Sequence, residues 1–566
     1  MNYKIIVFLA CLVLLSSAGS PSGQLEKIIE KYEQYRKEER TASGQWEILN
    51  DSIIQSRKNK LAEIITNLKN ISHGSLSFYD QINLDFLNLI IEDEWYQYEF
   101  GTHRMPLNAE GGFITGLLYS FRNTRLEKEE DIQRMIGRLG SMPAYIEFRI
   151  QSMYEGIDSG LAHPSVVVNN CAQLLKEQII EPGKVKFLEN VTFSLKDEYK
   201  IKADSIIKLE IYPALNRLYL FLTEEYAMKV RPVDGIHGIA GGKEYYAQRV
   251  KFFTTLDMTP EEVFQTGESE VERILGEMHE ILRALEFKGS IQDFVHWLRE
   301  EPSFYAKTPQ ELLNRAAWLS KKAEEILPRY FGKLPRLPFT VNPVPEAIAP
   351  TYTSGRYSQG SMEQKRAGQY WVNTYKLDSR PLYALPALTL HEAVPGHHLQ
   401  ISLAQELEDQ PAFRKTYLSA YGEGWGLYSE YLGKEAGMYE DPYDDFGRLT
   451  YEMWRACRLV VDVGIHDKGW TREDAIQYMA ERTALSMHEV TTEIDRYIGW
   501  PAQAVSYKIG ELTIRRLREK AESDLGDRFD IREFHDKILE NGSVPLRSLE
   551  RIIDQYIKEK KNNTKE

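Results

Sequence analysis

The chain has 566 residues and a formal net charge of −14, with 42% hydrophobic and 27% charged residues. This composition is ordinary for a soluble globular enzyme, and the length suits either roughly two to four domains or one large helical body with inserted pieces. The acidic balance argues against nucleic acid as a partner, because no basic surplus exists to neutralise phosphates.

The first twenty residues have the pattern of a secretory signal peptide. Lys4 provides a basic start, residues 5–15 are almost wholly apolar, and residues 16–18 are small enough for cleavage. The apolar run is well below the roughly 20 residues that a membrane span needs. We predict a signal peptide over residues 1–20, export to the periplasm or the extracellular space, and no membrane span in the mature chain. A retained N-terminal membrane anchor is the alternative.

Two cysteines lie beyond the predicted signal, Cys171 and Cys457. Two cysteines in a chain of this length cannot form a disulfide scaffold, so the fold must depend on its hydrophobic core. Whether they pair stays open at the level of sequence, and so does the oligomeric state.

Helical periodicity dominates the chain. Residues 25–70 carry Leu and Ile at three- and four-residue spacing and contain no proline. Helix starts with a capping-box pattern are predicted at Thr259, Thr308 and Thr471. Further amphipathic helices are predicted over residues 263–286, 310–327, 399–409, 511–523 and 545–560.

Strand signals are sparse and fall just before a cluster of histidines. The clearest are Phe339–Asn342 and Gln369–Thr374, which turn-forming residues separate. We therefore predict a mainly α fold with a small β-sheet beside the helix that carries the histidines. An edge strand there could pair with an extended peptide, although a short structural hairpin is an equally good interpretation.

The segment HEAVPGHH, residues 391–398, places three imidazoles and one carboxylate within about two helical turns. The whole chain has only 12 histidines, so this concentration is unusual. A histidine followed by glutamate, with another histidine about a turn later, is the pattern of zinc peptidases. We predict one Zn²⁺ per chain, with His391 as a ligand and Glu392 as the general base that accepts a proton from metal-bound water.

The spacing does not by itself decide the second histidine ligand. In an unmodified HExxH motif, residues i and i+4 lie on one helix face about 6 Å apart. Here the next histidines stand six and seven positions after His391, with Pro395-Gly396 between them. Proline disrupts a regular helix and glycine permits unusual dihedral angles. A two-residue bulge would return His397 to the usual place, so His397 is the first choice and His398 the second.

A catalytic zinc site needs a third protein ligand. The segment YGEGWGLYSE, residues 421–430, offers Glu423 and Glu430 on one helix face. Glu423 lies 26 residues after His397, which leaves room for one helix, a turn and a return. Either glutamate could instead be a solvated helix residue.

The sequence HEAVPGHHLQ followed by YGEGWGLYSEYL resembles the domain of unknown function 885 family, a group of largely helical proteins similar to zinc peptidases. The resemblance extends over most of the chain, because three further segments match the family in order. They are GGKEYYAQRVKFFTTLDMTPEEVFQTGESEVERI, WRACRLVVDVGIHDKGW and RYIGWPAQAVSYKIG. Wider relatives are gluzincins of the angiotensin-converting-enzyme, thimet-oligopeptidase and thermostable-carboxypeptidase kind.

The resemblance implies a large two-lobed helical peptidase body with a deep cleft. We expect a mostly helical N-terminal lobe over residues 21–330 and a catalytic lobe over residues 331–566. Gluzincins take their third ligand from the next helix, which implies Glu423, with Glu430 deeper in the helix as the partner of a ligand. The two-residue insertion before Gly396 departs from the pattern of the wider relatives.

Residues 499–507 resemble a thimet-oligopeptidase loop that runs Gly-Tyr-x-Ala-Gln-Tyr-Tyr-x-Tyr. The last tyrosine of that loop aligns with Tyr507, which we predict to be catalytic as the donor to the developing oxyanion. Trp500 replaces the first tyrosine, and Tyr497 is the reserve candidate. A core tyrosine with a satisfied hydroxyl is the alternative.

His466, Arg496 and Tyr497 are predicted to contact substrate. A structural histidine is the alternative for His466. Arg496, like Arg455 and Arg458, could bind a substrate carboxylate through two hydrogen bonds, which would favour carboxypeptidase or dipeptidase action. Structural ion pairs explain these arginines equally well.

These expectations describe zinc-dependent hydrolysis of peptide bonds in short peptides, of the carboxypeptidase, dipeptidase or oligopeptidase type. Two alternatives are a non-catalytic helical scaffold that binds peptides and a hydrolase of a non-peptide amide or ester. Glu392 argues against the scaffold, because a site that only binds has no need of a base there.

Overall fold

The computed structural model describes residues 20–39, 45–121, 128–179, 181–192, 195–346, 348–349, 352–408 and 410–562. Residues 1–19 of the predicted signal peptide lie outside these ranges. Helix accounts for 72% of the structure, which confirms the predicted mainly α class. None of the described helices has both the length and the apolarity that crossing a bilayer requires.

Up to residue 330 the α-helices are Pro21–Glu39, Asp51–Lys69, Phe78–Phe100, Phe113–Tyr119, Glu129–Asp158, Ser165–Lys176, Glu189–Thr192, Asp197–Ile206, Tyr212–Leu220, Gly242–Thr254, Pro260–Ala284, Ile291–Glu300 and Pro309–Tyr330. Beyond it they are Leu385–Glu392, His397–Gln405, Ser419–Glu435, Pro442–Val463, Arg472–Ala480, Met487–Gly499, Ser506–Leu525, Ile531–Leu539 and Leu546–Asn562.

The chain forms two compact units. The first comprises Met1–Gln248, Ile465–Arg472 and Thr492–Pro501, and the second comprises Arg249–Gly464, Glu473–Thr491 and Ala502–Glu566. The lobes predicted at 21–330 and 331–566 stay a prediction, and the compact units divide the chain at other residues. Cys171 and Cys457 are both free thiols and both buried.

The predicted capping boxes differ in how far they form. Thr259 has both halves of the box, with its side chain accepting from Glu262 and the Glu262 carboxylate accepting from Thr259. Thr308 accepts from the Glu311 N–H, but the Glu311 carboxylate accepts from Lys307 instead. A fourth helix start, which sequence reasoning missed, has a complete box between Ser290 and Asp293.

Close helix packing in the second unit depends on glycines. Ser419–Glu435 crosses Ser506–Leu525 where Gly424 meets Gly510, and a Cβ on Gly424 would lie 2.5 Å from the Gly510 Cα. Such contacts let two backbones approach closely, which no larger residue permits. Glu423 directly precedes Gly424 in the chain, so this close crossing fixes the position of Glu423 relative to the helix Ser506–Leu525.

The sheet of the second unit has three strands in the order β1-β3-β2. β1 (Phe339–Pro343) pairs in parallel with β3 (Gly368–Val372), and β2 (Gly355–Ser358) pairs antiparallel with β3. The sequence predicted β1 and β3, whereas β2 was missed because four residues give little periodicity. The Tyr370 hydroxyl lies 3.3 Å from the Thr389 hydroxyl, so the sheet lies beside the helix Leu385–Glu392, as predicted.

Candidate metal centre

The histidine segment contains a break between two helices instead of a bulge within one. Leu385–Glu392 ends before the insertion, and His397–Gln405 begins after it. Gly396 is required in the connecting turn, because a Cβ there would lie 1.9 Å from the His391 carbonyl oxygen. The turn brings the His397 ring beside the His391 ring, with centroids 4.7 Å apart and planes at 87°.

The helix Ser419–Glu435 supports this turn from the side. The Trp425 indole N–H donates to the Pro395 carbonyl at 2.8 Å, and the Trp425 side chain is fully buried. A Cβ on Gly426 would lie 2.7 Å from the His391 ring, so glycine is needed at this position. Trp425 and Gly426 together therefore fix where the first histidine and its turn lie.

Three predicted ligands converge. Glu423 Oε2 lies 3.5 Å from His391 Nε2 and 3.4 Å from His397 Nε2, and one donor atom from each of the three residues lies within 4.8 Å of the others. Two ligand atoms on a tetrahedral zinc, each about 2.1 Å from the ion, are about 3.4 Å apart. The spacing and the donor types therefore fit a zinc ion.

A buried glutamate orients the first histidine. His391 Nδ1 lies 2.7 Å from Glu430 Oε1, and Glu430 is only 1% exposed. Donation from Nδ1 to this carboxylate leaves the Nε2 lone pair for an ion, which is how protein metal sites commonly fix a histidine ligand. The prediction that Glu430 would be the partner of a ligand agrees with this contact.

The histidines and carboxylates of the group shift one another's pKa values. Burial alone lowers the pKa of His391, but hydrogen bonds to Glu423 and Glu430 outweigh burial and raise that pKa to about 9. Burial likewise raises the pKa of Glu423, but His397 and His391 outweigh it and hold that pKa well below its usual value. The predicted ligands are thus electrostatically coupled to one another and to Glu430.

His398, the second choice for the ligand, points to a different place. Its Nδ1 lies 3.0 Å from the Tyr357 hydroxyl and 3.3 Å from the Ser402 hydroxyl, and its ring packs on Phe339. Burial lowers the pKa of His398 to about 4, so the ring is neutral at physiological pH. The geometry favours His397 as the ligand and gives His398 a role in holding the sheet.

The predicted base, Glu392, is held next to the triad by the sheet. Its Oε2 accepts a hydrogen bond of 2.7 Å from the backbone N–H of Tyr357 in β2, and the residue is 8% exposed. β2 is an edge strand. The unpredicted strand is therefore the element that positions this carboxylate.

Sequence reasoning missed Tyr417. Its hydroxyl donates to Glu423 Oε1 at 2.9 Å, although 46% of the residue is exposed. Desolvation, followed by the charges of Glu423, Tyr507 and Glu392, raises the pKa of Tyr417 well above its usual value. The only sequence signal was the glycine on each side of Glu423, which indicates close approaches without naming the partner.

Tyr507 lies near this group, since it contributes to the raised pKa of Tyr417. The Arg458 guanidinium lies over the Tyr507 ring, 4.3 Å from its centroid. Arg455 lies beside the partner of the first histidine, with a guanidinium nitrogen 3.8 Å from Glu430 Oε1. The catalytic role of Tyr507 stays a prediction.

The predicted substrate-binding residues belong to the first unit and have partners there. His466 Nδ1 accepts from the Ile236 N–H at 3.1 Å, and its Nε2 lies 2.9 Å from the Tyr497 carbonyl oxygen. The Tyr497 hydroxyl donates to Glu493 at 2.6 Å, and Arg496 pairs with the same carboxylate at 3.2 Å. These contacts are those of structural residues, and substrate binding by them stays a prediction.

The described fold and site are those of a mainly helical protein with a candidate metal centre of two histidines and a glutamate. The family described as "Bacterial protein of unknown function (DUF885)" matches residues 34–553. The chain belongs to this family, as the resemblance implied.

The chain is similar to several solved structures, among them the following two. One is "the putative lipoprotein from Colwellia psychrerythraea", with a TM-score of 0.86 and 28% identity over 95% of this chain and 100% of that one. The other, "a putative lipoprotein of unknown function from Shewanella oneidensis", has a TM-score of 0.71 and 19% identity over 94% of this chain and 97% of that one, so it shows the fold alone. No curated protein matches the chain.

Proposed function

We propose that the chain is a zinc-dependent hydrolase of peptide bonds in short peptides. The observation that carries the proposal is the convergence of His391, His397 and Glu423, with Glu392 next to His391 in the chain and its charge acting on the His391 ring. Two neutral imidazoles and a carboxylate are the donor set of a catalytic zinc site with one position left for water. A zinc ion held there would act as a Lewis acid and lower the pKa of bound water.

The chain's own residues supply the remaining chemistry. Glu392, held through Oε2 by the Tyr357 N–H, accepts the proton of the attacking water and then returns it to the leaving amine. Tyr507 donates to the oxygen that becomes negative during attack. Glu430 keeps the Nδ1 proton of His391 in place, so the opposite nitrogen stays available.

A peptide is favoured as substrate by the position of β2. This edge strand contacts Glu392 through its backbone, and an edge strand can bind an extended peptide by main-chain hydrogen bonds. The bond to be cut would then lie beside the carboxylate that the same strand positions.

We predict that Glu392→Gln will bind zinc as the wild type does and will lose peptide turnover by orders of magnitude, because the amide cannot accept a proton. Zinc content by atomic emission and cleavage of mixed peptides by mass spectrometry, with and without chelator, measure both properties. The exposed Glu363→Gln is the matched control and should retain wild-type turnover.

Two results would contradict the proposal. A metal-free protein that cleaves peptides at the full rate would exclude zinc chemistry. An active Glu392→Gln variant would exclude the base. A zinc-loaded wild type that cleaves amides or esters and no peptides would assign the same residues to another substrate class.

We also propose that the chain is exported. The solved relative described as a "putative lipoprotein", which is 28% identical to the chain, supports export, and the predicted signal at residues 1–20 agrees with it. Intact-mass measurement of the native mature protein distinguishes a cleaved signal from a lipid-bearing or retained N-terminus, and a cytoplasmic full-length chain would contradict export.

A further inference from the structure

The two carboxylate oxygens of Glu423 have different surroundings. Oε2 lies 3.5 Å from His391 Nε2 and 3.4 Å from His397 Nε2. Oε1 instead accepts the 2.9 Å hydrogen bond from the Tyr417 hydroxyl. A carboxylate whose one oxygen is engaged in this way presents its other oxygen to the histidines in a defined orientation.

Gly422 provides the space for Tyr417. A Cβ at position 422 would lie 2.2 Å from the Tyr417 hydroxyl oxygen and 2.3 Å from its Cε2. The Tyr417 ring therefore packs directly against the helix Ser419–Glu435 at Gly422, which is the residue before Glu423. Tyr417 is 46% exposed, so the hydrophobic core contributes little to its position. The ring is held mainly by its contact with the helix at Gly422 and by the hydrogen bond of its hydroxyl.

We propose that Tyr417 is a positioning residue that holds Glu423 as a one-oxygen ligand and thereby sets the affinity of the centre for Zn²⁺. The inference rests on the proposed function for the ligand role of Glu423. Without the hydroxyl, the Glu423 side chain regains rotational freedom, and the ion must order it on binding. Outer hydrogen-bond partners of metal ligands typically change metal affinity by about 10- to 100-fold.

The first test is Tyr417→Phe in the full chain. We expect the zinc dissociation constant, measured by competition with a chromophoric chelator, to rise about 10- to 100-fold. Tyr375→Phe is the matched control, because Tyr375 is 42% exposed and its ring lies near the Lys376 ammonium group, 5.9 Å from the centroid. Its zinc affinity should equal that of the wild type.

The second test removes the space instead of the hydroxyl. In Gly422→Ala the new Cβ displaces the flexible, exposed Tyr417 ring, so zinc affinity should fall as in Tyr417→Phe. The folding stability should not fall, because Ala is favoured over Gly within a helix by about 0.5–1 kcal/mol. Since both changes act through one hydrogen bond, the double variant should bind zinc no more weakly than either single variant.

A spectroscopic readout separates positioning from general damage. In Co²⁺-substituted protein, the visible absorption reports the ligand arrangement, and it should change in Tyr417→Phe and stay constant in Tyr375→Phe. Unchanged zinc affinity in both Tyr417→Phe and Gly422→Ala would overturn the inference alone. A loss of kcat at constant zinc affinity in Tyr417→Phe would also overturn the inference, because it would indicate that Tyr417 contacts the substrate. A wild type that binds no zinc would overturn the proposed function and this inference together.

Discussion

At the scale of single residues, two of the three predicted ligands divide their polar atoms between two kinds of contact. His391 uses Nδ1 for Glu430 and Nε2 for the ligand position. Glu423 uses Oε1 for Tyr417 and Oε2 for the two histidines. His391 and Glu423 are thus each fixed through the atom that faces away from the other predicted ligands.

Removing each of the two neighbouring histidines should change a different property of the protein. His397→Ala should abolish stoichiometric zinc binding, because it removes one of the three donors. His398→Ala should keep zinc binding and lose about 1–3 kcal/mol of folding free energy, because its buried ring packs on Phe339 and bonds Tyr357. Zinc titration and urea unfolding measure the two effects, and a greater loss of zinc affinity in His398→Ala would reverse the assignment.

At the scale of elements, three helices carry the predicted ligands and one strand supports Glu392. The histidine turn lies against Ser419–Glu435, whose glycines admit the His391 ring and the Tyr417 ring. β2 holds Glu392 from the other side through the Tyr357 N–H. The helix that carries Glu423 is in turn fixed by its crossing with Ser506–Leu525.

We predict that Gly510→Ala will destabilise the protein by about 1–3 kcal/mol, because overpacking a tight contact forces the backbone to move. The new Cβ would lie 2.0 Å from the Ala420 carbonyl oxygen, which cannot move without the helix. Zinc affinity should fall as well, since Glu423 moves with the helix.

The control for that prediction is Gly276→Ala, also in a helix of the second unit, where a Cβ meets nothing within 4 Å. This variant should be more stable than the wild type by about 0.5–1 kcal/mol. Urea unfolding midpoints of the metal-free proteins measure both changes. Equal effects of the two substitutions would contradict the close crossing.

At the scale of the whole molecule, buried neutral histidines make stability depend on pH. Burial lowers the pKa of His163, His466 and His535 to about 3. Unfolded histidine titrates near 6.5, so between these values the unfolded chain binds protons that the folded chain does not. The contribution of these three histidines to folding stability is therefore complete above about pH 6.5 and is lost as the pH falls towards 3.

We predict that the urea midpoint of the wild type will fall between pH 6.5 and pH 5, where most carboxylates are still ionised. His163→Gln should reduce this slope by up to one proton, or about 1.4 kcal/mol per pH unit. His296→Gln, whose side chain is 71% exposed, should leave the slope unchanged. A wild-type midpoint that is constant over this range would contradict the prediction.

Part of the centre could be predicted from sequence because local spacing carries its chemistry. The His-Glu pair, the Pro-Gly interruption and the Gly-Glu-Gly segment are short-range patterns. They indicate His391 and Glu392, place His397 ahead of His398, and offer Glu423 beside Glu430 as a third donor. Tyr417 could not be predicted, because it lies before the helix that carries Glu423 and no helical periodicity relates the two residues. β2 was missed because a strand of four residues shows little periodicity, and its contact with Glu392 joins residues far apart in the chain.

Local patterns in the sequence were enough for the mainly helical class, the strands β1 and β3, and the residue types that could hold a metal, because helical periodicity and donor chemistry are local properties. The choice between His397 and His398 required the folded chain. The direction of each ring depends on the turn that Gly396 and Trp425 impose and on the sheet that holds His398. Those contacts join residues far apart in the chain, and such packing cannot be read from local spacing.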